Sequence, residues 1–221
     1  MGQPESRPSV IVFDLDDTLY KEADYQTSGH AAVCQWVQSV YGKSLWDELQ
    51  YLRAADVPDL LGELCRVAGL PVAVKESLLW VYRLHEPRIS LATEVTEFLR
   101  NLGLHFDIAI LTDGRSITQR LKLKALGLDH FPAYISEEYG SEKPFSDRFE
   151  LIMRDLPAKR YAYVGDNPKK DFIAPNALGW RTFGLRDQGW NIHAQNLEGL
   201  DVNQLPNEWI DSLDEILNYL C

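Results

Sequence analysis

Apolar positions in this chain follow two different patterns. Short runs rich in β-branched and aromatic residues occur at Ser9–Phe13 (SVIVF), Asp107–Leu111 (DIAIL), Ala133–Ile135, Arg160–Val164 (RYAYV) and Arg181–Phe183. Each is followed by turn-forming or polar residues, and most by a helical stretch. Runs of this kind read as strands buried on both faces, as in a parallel sheet with helical crossovers. Strands alternating with helices predict an α/β core with a doubly wound, Rossmann-like parallel sheet.

Residues 21–87, between the first two runs, carry the helical period instead. Helices are predicted near Tyr25–Tyr41, Ser44–Ala55, Val57–Ala68 and Val72–His85, with breaks at Gly42, Pro58 and Gly69–Pro71. Val33, Trp36, Val37 and Val40 fall at i, i+3, i+4 and i+7, a stripe read as bundle core rather than ligand pocket. The expected organisation is a catalytic core of residues 1–20 and 88–221 with a small inserted α-helical cap, residues 21–87, joined by hinges near Tyr20–Ala23 and Glu86–Leu91. Further helices are expected at Thr93–Leu102 and from about Ser146 to Met153. A tail helix is also expected, because Ser212 stands three residues before Glu215, a capping-box spacing ahead of Ile216 and Leu217.

Composition narrows the partners. The 221 residues are 45% hydrophobic and 25% charged, an ordinary globular balance. A formal net charge of -11 opposes general nucleic-acid binding, which needs clustered Lys and Arg, but permits a small metal-complexed anion. Cys34, Cys65 and Cys221 are odd in number and far apart, as expected of reduced thiols in a cytoplasmic protein. No run reaches the roughly 18 uninterrupted apolar residues of a membrane span, and Met1–Ser9 is polar rather than signal-like. His30, His85, His105, His130 and His193 are scattered without zinc spacing, and no glycine-rich nucleotide fingerprint occurs. Nothing in the pattern selects a monomer or a dimer.

Candidate chemistry collects where the apolar runs end, which is where open parallel sheets bind ligands. The first run ends in DLDDTLY, Asp14–Tyr20. Asp14 is placed to attack phosphorus or hold a metal, and Asp16 to pass protons to the leaving group and from water. Crowding of the two carboxyls is expected to keep Asp16 protonated while Asp14 stays ionised beside a cation. The second run ends in Thr112, Asp113 and Gly114, read as a hydroxyl donor followed by a backbone anion nest. Lys143, ahead of Pro144, would offset the charge of Asp14 and a phosphate. The fourth run ends in Gly165 and Asp166, with Asp171 five residues further on. Asp14, Asp166 and the Asp16 carbonyl suit Mg²⁺, with Asp171 behind them holding a bound water or orienting Lys143.

Taken in order, Asp14–Thr18, Leu111–Gly114, Lys143–Pro144 and Gly165–Asp171 resemble the four motifs of the haloacid dehalogenase superfamily, and the tail Trp209–Leu217 is similar to the closing helix of many members. The resemblance implies Asp14 as nucleophile, Asp16 as general acid and base, Thr112, Asp113 and Lys143 as phosphate-binding groups, and Asp14, Asp16 and Asp166 around Mg²⁺. Thr18 and Asp171 take supporting roles. It also implies a cap that closes over the site and contributes specificity. Dehalogenases of the superfamily lack the acid at the Asp16 position, phosphonatases carry Ala there with a cap lysine, and transport ATPases carry DKTGT. The pattern therefore points to a phosphatase for a small phosphomonoester, such as a sugar phosphate, phosphoglycolate or a nucleoside monophosphate. A phosphomutase also keeps both acids, and a regulatory binding member is the reading from another class. Candidate specificity residues are Lys21, Tyr25, His30, Lys43 and Arg53.

Overall fold

The computed structural model of the chain describes residues 9–219, so the polar opening segment and Cys221 lie outside the described residues. Six strands, β1 (Ser9–Phe13), β2 (Asp107–Thr112), β3 (Ala133–Ile135), β4 (Arg160–Gly165), β5 (Arg181–Leu185) and β6 (Glu208–Ile210), form one sheet in the order β3-β2-β1-β4-β5-β6. Every neighbouring pair is parallel. This is the Rossmann order, in which the winding reverses between β1 and β4 and leaves a crevice at their C-terminal ends.

The helices are α1 (Glu22–Tyr41), α2 (Trp46–Ala54), α3 (Leu60–Val67), α4 (Val74–Leu84), α5 (Thr93–Leu102), α6 (Ser116–Ala125), α7 (Ser136–Tyr139), α8 (Asp147–Asp155) and α9 (Ile173–Ala177). The described chain divides into two compact units. One is built from the chain up to Ala23 and from Ser90 onward, the other from Asp24–Ile89. No helix among the described residues is long and apolar enough to cross a membrane.

In the sheet unit, β1 is apolar on both sides because both are covered. Val10 and Val12 join Ala109, Leu111, Phe149 and Trp180 in one buried cluster. Alternation along the strand sends Ile11 and Phe13 to the other face, where the Phe13 ring meets Phe98 of α5 edge-on at 6.2 Å. Each such side chain contributes about 1.5–3 kcal/mol on burial, which anchors the strand whose last residue precedes Asp14.

The helical unit has its own core of Val33, Val37, Leu49, Leu52, Leu64, Cys65 and Leu78. Val40, expected in that stripe, is 55% exposed in the last turn of α1. Asp59 caps α3 by accepting the Gly62 N–H at 3.2 Å. Gly69 ends it in the left-handed region (φ 62°), with Leu70 N–H reaching back to the Cys65 carbonyl at 2.8 Å, a Schellman turn.

The tail departs from its sequence reading. Instead of one helix over 209–217, Glu208–Ile210 extends the sheet beside β5, and a 3₁₀ helix follows at Leu213–Tyr219. Glu215 accepts from the Asp211 N–H (3.3 Å) and the Ser212 hydroxyl (3.2 Å), so the Ser–Glu pair closes the turn between strand and helix.

Candidate active site

Strand register determines which residues meet. Phe13 is level with Ile110 on one side and Val164 on the other, so Asp14, Thr112 and Asp166 leave three adjacent strands at nearly the same height. The Asp14 N–H donates to the Val164 carbonyl (2.8 Å), carrying the ladder one residue past the strand. Asp14, Thr112, Lys143, Asp166 and Asp171 are all buried. Lys143, followed by a cis peptide bond to Pro144, places Nζ 3.0 Å from Asp14 Oδ1 and 2.8 Å from Asp171 Oδ1. Nζ also donates to the Tyr163 hydroxyl at 3.0 Å.

One oxygen from each of Asp14, Asp166 and Asp171 lies within 4.8 Å of the others. Asn191 Nδ2 donates to Asp166 Oδ2 (2.8 Å), and the Asn167 N–H to Asp171 Oδ2 (2.7 Å). Burial, opposed by Lys143 and reinforced by Asp171, raises the Asp14 carboxyl to about 6. Burial together with Asp171 and Asp14 raises Asp166 to about 8. Three crowded, buried carboxylates with one buried ammonium, Lys143, against them form an all-oxygen donor set short of positive charge, which fits a hard divalent cation. Asp171 contributes an oxygen to this cluster and also contacts Lys143, in keeping with a role in orienting that lysine.

A cation binding here must displace protons. At pH 7, below the Asp166 value, calorimetric titration with a divalent cation should show proton release, seen as a heat that varies with buffer ionisation enthalpy. Affinity should weaken as pH falls from 8 to 6. Heats and affinities independent of buffer and pH would contradict this electrostatic picture.

Asp16 differs most from its sequence reading. Its Oδ1 accepts from the Tyr20 hydroxyl (2.6 Å) and Lys122 Nζ (2.7 Å), and its Oδ2 from Gln119 Nε2 (3.0 Å). Burial disfavours its charge, but the Lys122 ammonium and the hydrogen bonds outweigh burial and hold the carboxyl below its usual range. The expectation that crowding keeps Asp16 protonated is thus corrected by a buried lysine on α6. Gln119 and Lys122 are one helical turn apart, a spacing that predicts a shared face but not what that face meets.

Around Thr112 the picture is mixed. Its hydroxyl is buried with no hydrogen-bond partner among the described residues, as suits a group meant for a ligand oxygen. The anion nest is smaller than expected, because the Gly114 N–H donates to Ser136 Oγ at 2.9 Å. The Asp113 carboxylate is engaged by cations. It pairs with Arg148, accepts the Lys143 N–H at 3.2 Å and lies 3.4 Å from Lys170 Nζ, which leaves the backbone amide as its group able to meet an anion. Arg148 is fully buried and also donates to the carbonyls of Thr112 (2.9 Å) and Tyr134 (3.0 Å), fixing the ends of β2 and β3. Gly165 is needed because a Cβ there would lie 2.5 Å from Asp171 Oδ2.

Asp14, Asp16, Asp17, Thr112, Asp113 and Asp166 surround a cavity of about 170 Å³ whose wall also includes Glu22, Asn167, Lys170 and His193, while Lys143 and Asp171 are buried outside that wall. Burial and the neighbouring acids push Glu22 up to about 7. His193 comes from the irregular loop after β5. That loop is tied down by the Ile192 N–H to Asp17 Oδ2 (2.7 Å) and by Gln195 Nε2 to the Asp166 carbonyl (2.6 Å). Thr18 is buried outside this wall, beside Phe98 and Leu102 of α5. Lys21 lies over the Trp190 ring at 4.2 Å. Tyr25 and His30 pack on Tyr82, Lys43 donates to the Ala68 carbonyl, and Arg53 to Thr27 Oγ1 (3.2 Å), so these four serve the helical unit's own structure.

The model of the haloacid dehalogenase-like hydrolases matches residues 8–179. Ribulose-1,5-bisphosphate 5-phosphatase of Halopiger xanaduensis is 29% identical over 94% of this chain and 97% of its own. Glyceraldehyde 3-phosphate phosphatase of Methanocaldococcus jannaschii is 24% identical over 94% and 95%. Among solved structures, the HAD-hydrolase YfnB of Bacillus subtilis, bound to magnesium, superposes with a TM-score of 0.64 at 18% identity, covering 97% of this chain and 99% of that one. With the family model spanning well over half the sequence, the ends of β1, β2 and β4 converging on one cavity with Lys143 ion-paired to Asp14, and the Rossmann order beneath them, this chain belongs to the haloacid dehalogenase-like hydrolase family.

Proposed function

We propose that this hydrolase is a Mg²⁺-dependent phosphatase that moves the phosphoryl group of a small phosphomonoester onto Asp14 and then onto water. The observation that carries the reading is the buried Asp14 carboxylate at the β1/β4 switch point, sharing one oxygen cluster with Asp166 and Asp171 and ion-paired to Lys143. Mg²⁺ held by Asp14, Asp166 and Asp171 would withdraw charge from the phosphoryl oxygens. Asp14 attacks phosphorus, the P–O bond to the leaving group breaks, and the departing oxygen takes up a proton from Asp16, which must first draw that proton from solvent because Lys122 favours its ionised form. Water then attacks the aspartyl-phosphate, Asp16 accepts its proton, and the Asp14 carboxylate is restored as phosphate leaves. Lys122 favours the ionised form of Asp16, the form this second step begins from. The Thr112 hydroxyl and Lys143 ammonium meet the phosphoryl oxygens.

A cavity of about 170 Å³ suits a phosphoryl group with its cation rather than a whole metabolite, so selectivity is assigned to groups beyond the cavity wall. Relatives named for ribulose bisphosphate and glyceraldehyde phosphate favour a sugar phosphate over phosphoglycolate or a nucleotide. A panel of phosphometabolites assayed for released phosphate tests the reading. Turnover should require Mg²⁺, stop on chelation and return when Mg²⁺ is restored. Isomerised sugar phosphate without released phosphate, or turnover unaffected by chelation, would overturn it.

A further inference from the structure

We infer that Lys122 is a positioning residue for proton transfer, acting through Asp16 together with Gln119 and Tyr20. The inference rests on the proton-transfer role proposed for Asp16. None of these three side chains lies in the wall of the acid cavity, yet all three donate to the Asp16 carboxylate. The Lys122 side chain is 3% exposed. An ammonium so far from water is tolerated only with an anion against it, and Asp16 Oδ1 at 2.7 Å supplies one.

The two oxygens of Asp16 are not equivalent. Oδ1 takes two short bonds, from a hydroxyl and an ammonium, which occupy both of its lone-pair directions. Oδ2 takes one neutral amide proton at 3.0 Å, from a nitrogen that also donates to the Asp113 carbonyl at 2.8 Å. Oδ2 is therefore the oxygen with room to give and take a proton, and the Lys122–Tyr20 pair holds it in place by gripping the other. Gly114 belongs to the same device. A Cβ there would stand 2.7 Å from Gln119 Nε2 at a φ of 140°, so only glycine lets the amide reach both partners.

Lys122→Met keeps the stem and removes the ammonium. Its kcat should fall about 30- to 100-fold, while KM and the half-saturating Mg²⁺ concentration stay within about threefold of wild type. The discriminating measurement is a double-mutant cycle with Asp16→Asn. Acting only through Asp16, Lys122→Met should cause no further loss in that background. If Lys122→Met does not fold, Tyr20→Phe, which removes the other Oδ1 donor, should show the same non-additivity with a smaller single effect. Wild-type kcat in Lys122→Met, or an equal loss with and without the Asp16 carboxylate, would overturn the inference. Full activity of Asp16→Asn itself would refute the proton-transfer role, an outcome read separately in the same assay.

Discussion

Asp14→Asn should lower phosphate release by about 10⁴-fold or more, the scale of losing a nucleophile on which both chemical steps depend. The substitution conserves shape, and the Lys143–Asp171 contact at 2.8 Å remains to hold the buried ammonium. Thermal stability should therefore stay near that of wild type, which separates lost chemistry from lost folding. The expected pair of results is a folded, inactive protein, measured by phosphate release and by the melting curve. Comparable activity in the variant would remove Asp14 from the reaction.

Lys143→Met should have the largest effect on stability. Its ammonium is fully buried between Asp14 and Asp171 and is held charged by them, its affinity for a proton raised well above the ordinary lysine range despite burial. Removing one partner of a buried ion pair costs about 3–5 kcal/mol, because the remaining charges lose compensation that water cannot supply. The melting temperature should fall by roughly 6–20 °C. Millimolar Mg²⁺ should recover part of that loss, since a cation among the same carboxylates replaces the missing charge. Activity should nevertheless stay at least about 100-fold down, because the phosphoryl oxygens lose a fixed donor. An unchanged melting temperature without metal would show that the carboxylates are protonated and that Lys143 is not their counter-ion.

The frame of this site was legible in the sequence for a definite physical reason. A strand buried on both faces reads as an unbroken apolar run, so acids such as Asp14 and Asp166 at its end stand out, and parallel topology brings such ends together. What surrounds Asp16 was not legible. That Lys122 is a buried counter-ion depends on how α6 docks, and a lysine on a helix is ordinarily solvated. Arg148 hides for the same reason, since its partners Thr112, Asp113 and Tyr134 come from other elements. His193 sits in a loop with no period, held by the Ile192 N–H to Asp17 Oδ2 and by the Gln195 side-chain amide to the Asp166 carbonyl. The three-residue strand Glu208–Ile210 is too short to show alternation, so its apolar residues merged with those of the following turn into an apparent helix.

Covalent capture of the phosphoryl group tests the central claim most directly. Protein mixed with Mg²⁺ and a ³²P-labelled phosphomonoester that it turns over, then quenched in acid within one turnover, should carry label on the chain. The account predicts a bond stable to acid and cleaved by hydroxylamine, as an acyl phosphate is, mapping by mass spectrometry to the peptide that contains Asp14 and absent from Asp14→Asn. Rapid phosphate release with no labelled chain at any quench time, or label on a different residue, would contradict it.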